Sequence, residues 1–113
     1  MNKLFQIQSL VFYKEDFLDN IDEFEDIIDI IKELSPRLKY EKIEVVGQND
    51  CCEKKNENYI IEIQGFLNEE DDFYTREEVE ILSKQKPMGN LDLFVIRIYK
   101  CLNCNKWIID ILE

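Results

Sequence analysis

The sequence of 113 residues contains no histidine, only three glycines and only two prolines. Without histidine there is no imidazole base, no serine–histidine triad and no zinc site of mixed cysteine and histidine ligands. Three scattered glycines cannot form the glycine-rich loop that surrounds a nucleotide phosphate. No apolar run approaches the roughly 20 residues that a membrane-spanning helix needs. These absences argue against several classes of enzyme, against a phosphate-binding loop and against a membrane span.

Positive charge is also scarce, because 25 acidic residues oppose 14 basic ones and leave a formal net charge of −11. Such a field repels nucleic-acid phosphates and anionic lipid, so we expect neither nucleic acid nor a membrane as partner. It favours a basic protein partner. Hydrophobic residues make up 45% of the chain, which predicts a folded protein. The length suits a single domain, residues 1–113.

The first residues of the chain do not have the pattern of a secretory signal. They contain one cation, Lys3, but no long apolar segment and no small-residue cleavage site. We therefore expect a reducing, cytoplasmic location. In such a compartment, spaced cysteines bind metal more often than they form disulfides.

Apolar residues recur at helical spacing from about Glu15 to Leu34, and this period predicts a long amphipathic N-terminal helix. The residues that carry it are Phe17, Ile21, Phe24, Ile28 and Ile31. Acidic residues fill most of the positions between them. These acids form either an ordinary solvated surface, which is the simpler interpretation, or a docking face for a basic protein.

The rest of the chain predicts two β-hairpins and a second, short helix. Residues 38–46 pair with 59–66 in one hairpin, and residues 91–99 pair with 107–112 in the other. Thr75-Arg76-Glu77-Glu78 has the form of a capping box and begins the short helix. Residues 4–13 predict a short strand or an extended lead-in. The predicted fold is α+β, with a mainly antiparallel sheet of two hairpins packed against the long acidic helix and the short one.

Four cysteines occupy the predicted polar turns of the two hairpins. Cys51 and Cys52 are adjacent in the first turn, and Cys101 and Cys104 are two residues apart in the second. Thiolates grouped in this way predict one metal site that ties the two hairpin tips together. Four lysines offset the negative charge of such a site; they are Lys54, Lys55, Lys100 and Lys106.

The segment Tyr99-Lys100-Cys101-Leu102-Asn103-Cys104-Asn105-Lys106-Trp107 resembles the knuckle of a zinc ribbon. The resemblance is confined to this segment, and it implies a structural Zn²⁺ held by both of its cysteines. In such knuckles the residue after the second cysteine is often left-handed, a conformation that Asn105 tolerates well. The adjacent pair Cys51-Cys52 departs from the usual spaced pair, so the backbone must turn sharply there if both thiolates reach one ion.

Three interpretations of the cysteines remain open at this point. The first is a structural site of four thiolates in a non-catalytic protein that acts through an acidic docking face. The second is a three-cysteine site completed by Asp50, Glu53 or water; with water as the fourth ligand the site is open, as in an enzyme or a metal-dependent accessory protein. The third is a thiol sensor that uses the vicinal pair Cys51 and Cys52 to bind soft metals or respond to oxidants. In charge and size alone, the protein resembles immunity proteins, which bind and neutralise basic nuclease toxins. No residue pattern predicts a catalytic site, and the sequence does not indicate an oligomeric state.

Overall fold

The structure is a computed structural model that describes residues 2–44 and 57–113. Its N-terminal strands, β1 (Lys3–Ile7) and β2 (Leu10–Tyr13), form an antiparallel hairpin. The sequence predicted a short strand or an extended lead-in here. A hairpin forms instead because Gln8 adopts a positive φ of 52°, which lets the chain reverse within two residues.

Over the part of the chain that the structure describes, the main sheet has five strands, and every neighbouring pair within it is antiparallel. The strand order is β3-β4-β6-β7. The short β5 pairs with the end of β4, on the same edge as β3. The bounds are β3 (Glu41–Glu44), β4 (Glu57–Leu67), β5 (Phe73–Thr75), β6 (Asp92–Cys101) and β7 (Trp107–Leu112). The antiparallel pairing of both predicted hairpins is confirmed, although residues 45 and 46 of the first one lie outside the described ranges.

In the described residues two α-helices accompany the sheet, α1 (Glu25–Leu34) and α2 (Arg76–Ser83). The predicted capping box of α2 is confirmed. The Glu78 amide donates to Thr75 Oγ1, and the Thr75 amide donates to Glu78 Oε1, each at 3.1 Å. Within the described ranges, neither helix has the length and apolar character that crossing a membrane requires.

The predicted long helix from Glu15 to Leu34 is not confirmed. Continuous helical structure starts with a 3₁₀ turn at Ile21–Phe24, continues as α1 and ends with a 3₁₀ turn at Ser35–Arg37. It starts late because Asn20 Oδ1 accepts from the Asp22 amide at 3.1 Å and so caps the helical segment. Phe17, which fits the helical period, is extended and forms a parallel bridge with Trp107.

The hydrophobic core lies between one face of the main sheet, α1 and the N-terminal hairpin. Directly opposed residues on that sheet face form cross-strand pairs such as Ile61–Ile98, Ile63–Ile96 and Ile98–Ile109. Helix α1 adds three buried residues at spacings of three, which are Ile28, Ile31 and Leu34. The mixed helix and antiparallel-sheet class predicted from the sequence is thus observed.

Gly65 is a point where the close approach of β5 to β4 depends on the absence of a side chain. A β-carbon at Gly65 would overlap the ring of Phe73 and lie 2.6 Å from the Tyr74 carbonyl oxygen. We expect Gly65→Ala to lower the free energy of unfolding by about 1–3 kcal/mol, because the ring and strand must shift. Urea unfolding, monitored by circular dichroism, measures this loss of stability. The control is Gln64→Ala at the exposed neighbouring position, which should change the free energy of unfolding by less than about 0.5 kcal/mol. Equal losses in the two variants would contradict the close-packing argument.

Candidate functional site

The second cysteine pair lies in the turn between β6 and β7, where the sequence predicted it. Cys101 ends β6, and its amide donates to the Lys106 carbonyl oxygen at 2.9 Å, which closes the hairpin. Cys101 is buried at 2% exposure, and Cys104 is half-buried. Both sulfur atoms therefore belong to a well-defined turn between two antiparallel strands.

Asn105, which follows the second cysteine, has a φ of 65°. This left-handed conformation is the one predicted for that position. We expect Asn105→Val to lower the free energy of unfolding by about 1–2 kcal/mol, because a β-branched residue is strained at positive φ. Asn105→Gly is the matched control and should not destabilise the turn by strain. Thermal or urea unfolding compares them, and a valine variant as stable as the glycine variant would refute the backbone requirement.

Lys100 is a buried lysine next to the cysteine turn. It lies on the core face of β6, opposite Trp107, with 4% exposure. Its Nζ donates to the Asn105 carbonyl oxygen at 3.0 Å and lies 5.1 Å from the centroid of the Phe12 ring. Burial lowers the pKa of Lys100, while the charges of Asp16 and the two cysteines oppose that shift. The Lys100 ammonium group therefore lies within electrostatic range of both cysteines.

A second cation, Lys106, ties the same turn to the N-terminal part of the chain. Its Nζ lies 3.4 Å from Oδ1 of the buried Asp16. Asp16 belongs to the segment that follows the N-terminal hairpin. Of the four lysines predicted to offset a thiolate site, Lys100 and Lys106 flank the turn, whereas Lys54 and Lys55 lie outside the described residues.

The ends of the segment that carries the first cysteine pair lie at the same end of the sheet as this turn. Glu44 and Glu57, which flank residues 45–56, are paired across β3 and β4. The Leu102 amide donates to the Glu57 carbonyl oxygen at 3.3 Å. Asn58 is paired with Cys101 across β4 and β6. The connection between β3 and β4 therefore leaves and rejoins the sheet beside the Cys101–Cys104 turn.

Cys51 and Cys52 themselves lie outside the described residues, as do Asp50 and Glu53. The described residues include only two of the four predicted thiolates, so the structure neither brings the four together nor separates them. Within residues 2–44 and 57–113, no group of three or more cysteine, aspartate or glutamate side chains is placed to hold a metal ion. The zinc site stays a prediction.

A groove that the sequence did not predict lies between α1 and the segment from Leu67 to Glu78. It encloses about 620 Å³ and is here called the acidic groove. Six carboxylates line it, and they belong to Asp26, Asp29, Glu33, Asp71, Asp72 and Glu78. Six apolar side chains lie among them, those of Ile27, Ile30, Leu34, Leu67, Phe73 and Phe94. The sequence predicted solvated acids on the helix and in the loop, but it gave no sign that they meet over apolar residues.

The acidic groove carries a strong negative charge that is only partly compensated. Its six carboxylates and the guanidinium of Arg37 leave a formal charge of −5. In the described part of the chain three ion pairs form, and none uses a carboxylate of the groove: Lys42–Glu57, Arg97–Glu62 and Lys106–Asp16. The groove therefore keeps its negative charge for interactions with solvent or with another molecule.

No family model, no curated protein and no solved structure matches this chain. Two features of the described residues offer chemistry for a function, the cysteine turn and the acidic groove. The first offers two soft sulfur ligands beside a buried ammonium group, and the second offers carboxylates over an apolar floor.

Proposed function

We propose that this protein is a small, non-catalytic zinc-binding domain that acts by binding a basic protein partner. Its Zn²⁺ would be held by Cys51, Cys52, Cys101 and Cys104. The observation that carries the proposal is the hairpin turn of Cys101 and Cys104, closed by a left-handed Asn105. Two cysteines at this spacing in a β-turn are a common half of a tetrahedral zinc site.

The position of the first cysteine pair along the chain supports the second half of the site. Cys51 follows Glu44 by seven positions, and Cys52 precedes Glu57 by five. Both flanking residues lie at the end of the sheet where the Cys101–Cys104 turn is found. The intervening segments are long enough for both thiols to reach that turn, because an extended residue spans up to about 3.6 Å.

Local charge also supports a thiolate site at this end of the sheet. A Zn²⁺ ion with four thiolates carries a formal charge of about −2, which is unfavourable in a protein already at −11. Lys100, which is buried, and Lys106 place two positive charges at the turn, and Asp16, which pairs with Lys106, reduces the formal local charge to +1. This positive charge would partly offset the negative charge of the proposed zinc–thiolate site.

A structural role for the metal follows from the ligand set. Four thiolates fill the tetrahedral positions of Zn²⁺ and leave none for a substrate or an activated water. In the alternative, three cysteines bind the ion: water as the fourth ligand would leave a reactive position, whereas Asp50 or Glu53 would close the site. The zinc measurements on the cysteine variants described below test this alternative, and they also test the vicinal-thiol sensor.

The protein-binding part of the proposal depends on charge. The net charge of −11 favours a basic protein over nucleic acid or an anionic membrane. The exposed carboxylates of α1 are the docking face that we propose, in place of the longer helical face expected from the sequence. A reducing cytoplasm is the location in which the four thiols would stay available to the metal.

The experiment that tests the proposed function measures zinc content and secondary structure in the four single Cys→Ser variants. We expect each variant to lose most of its zinc, because each removes one of four ligands. Asn105→Gly is the matched control, since it changes the same turn but keeps every sulfur atom, and it should retain its zinc.

Two results would contradict the structural four-thiolate site. Full zinc retention after Cys51→Ser or Cys52→Ser would favour the open or mixed-ligand site. A folded, metal-free parent protein whose vicinal thiols react rapidly with a thiol reagent would favour the sensor.

A further inference from the structure

We infer that the acidic groove binds an amphipathic, cationic helix of a protein partner, with apolar side chains on its floor and lysine or arginine at both rims. The inference rests on the protein-binding part of the proposed function and narrows it to one surface and one ligand chemistry. It does not depend on zinc. Its test therefore fails or succeeds separately from the metal measurements.

Helix α1 builds one rim of the acidic groove. Asp26, Asp29 and Glu33 are spaced by three and four positions, so their side chains lie along one side of the helix. Ile27, Ile30 and Leu34 follow the same spacing one position further along and turn toward the floor. The helix therefore presents a row of carboxylates beside a row of apolar side chains.

The loop between β4 and β5 builds the opposite rim. Asn68 Oδ1 accepts from the amides of Glu70 and Asp72, each at 2.9 Å, and the Asn68 amide donates to the Asp72 carbonyl oxygen. These bonds fix the backbone that carries Asp71 and Asp72. A partner would therefore meet carboxylates whose backbone is already ordered, which reduces the entropy lost on binding.

The floor of the groove distinguishes it from an ordinary solvated acidic surface. Phe73 is only partly buried and packs edge-to-face on the buried Phe94, with ring centroids 6.0 Å apart. Ile27 and Ile30 are also only partly buried. Removing this remaining apolar surface from water would contribute favourable free energy to binding, and charge alone would not supply that contribution.

The arrangement of the two rims selects a helix over an extended segment. A basic amphipathic helix has an apolar stripe flanked on both sides by cations, which matches an apolar floor flanked by carboxylates. In an extended segment, alternate side chains point to opposite faces, so its cations would point away from the rims when its apolar residues faced the floor. The formal charge of −5 at the groove gives the electrostatic complement.

The test uses the full chain and a defined probe, an acetylated and amidated peptide of about 14 leucine and lysine residues with leucine at helical spacing. Titration calorimetry measures its affinity for the parent protein and for the quadruple variant Asp29→Asn, Glu33→Gln, Asp71→Asn, Asp72→Asn. We expect saturable binding to the parent, weakened about tenfold or more in this groove variant.

A second quadruple variant provides the matched control, because it removes the same number of charges away from the groove. It carries Asp19→Asn, Glu41→Gln, Glu44→Gln and Asp110→Asn, and all four positions are exposed. We expect its affinity to fall by less than about threefold, since distant exposed charges are screened. Circular dichroism of both variants checks that each remains folded.

A second peptide, with serine in place of leucine, keeps the cations and removes the apolar stripe. We expect it to bind about tenfold more weakly or worse, because it cannot cover the floor. Equal weakening by the two quadruple variants would assign binding to overall charge and overturn the inference. Equal affinity of the parent protein for the two peptides would also overturn the inference. So would a leucine–lysine peptide that does not bind the parent protein. Zinc content measured in these samples reports separately on the proposed metal site.

Discussion

Replacing Trp107 with alanine is expected to lower the free energy of unfolding by about 3–5 kcal/mol. Trp107 is 1% exposed and contacts three phenylalanine rings, Phe5 and Phe12 at 5.4 Å and Phe17 at 4.4 Å between centroids. Its indole nitrogen donates to the Tyr13 carbonyl oxygen at 2.8 Å. One side chain thus joins the N-terminal hairpin, the extended segment after it and the main sheet.

Trp107→Phe is the control that separates packing from hydrogen bonding. It keeps an aromatic ring but leaves the Tyr13 carbonyl without the indole donor, so a loss of about 1–3 kcal/mol is expected. Because Trp107 is the sole tryptophan, urea unfolding should be followed by far-ultraviolet circular dichroism and not by indole fluorescence. An alanine variant that loses less than about 1 kcal/mol would show that the aromatic cluster does not hold the hairpin to the sheet.

Removing zinc with a chelator is the second change with a large expected effect. If the folded state alone binds the ion, stability rises with free zinc as the logarithm of its ratio to the dissociation constant. The expected difference is about 4 kcal/mol when free zinc is a thousandfold above that constant, and less if unfolded cysteines also bind it. Urea unfolding of the parent protein at several buffered zinc concentrations measures the dependence.

Two controls make the zinc dependence specific to the thiolate site. Cys104→Ser should unfold at nearly the same urea concentration with and without zinc, because it lacks one of the proposed ligands. Mg²⁺ should not replace zinc, since this hard cation prefers oxygen ligands. If the unfolding midpoint of the parent protein changes with neither zinc nor chelator, the result would argue against a metal ion that stabilises the fold.

The parts of the fold that the sequence predicted well depend on local signals. The apolar run of β7 and the hydroxyl–carboxylate pair of Thr75 and Glu78 specify structure within a few residues. Asn105 is another such case, because the short polar side chain tolerates the left-handed angle that the turn requires. Local chemistry and the final structure agree at these positions.

The start of the helix could not be predicted because tertiary contacts override the apolar period there. Phe17 enters the core from an extended segment, and the neighbouring Leu18 amide donates to the Trp107 carbonyl oxygen at 3.1 Å. A helix through Phe17 would lose this bond to β7. The spacing of Phe17 and Ile21 is compatible with both arrangements, so the period alone does not distinguish them.

The candidate sites divide in the same way. The turn of Cys101 and Cys104 could be predicted, because two strands and a short polar segment determine it. The acidic groove could not, because it needs α1 and the β4–β5 loop, which are far apart in the chain, to meet in the fold. The burial of Lys100 was also missed, since its position opposite Trp107 depends on strand register.

Elemental analysis of the purified parent protein, prepared without added chelator, addresses the proposed thiolate site most directly. If four sulfur atoms from the two segments bind a single ion, the molar ratio of zinc to protein should be close to unity. Protein that is folded by circular dichroism, free of bound zinc and unable to take it up on addition would contradict the site.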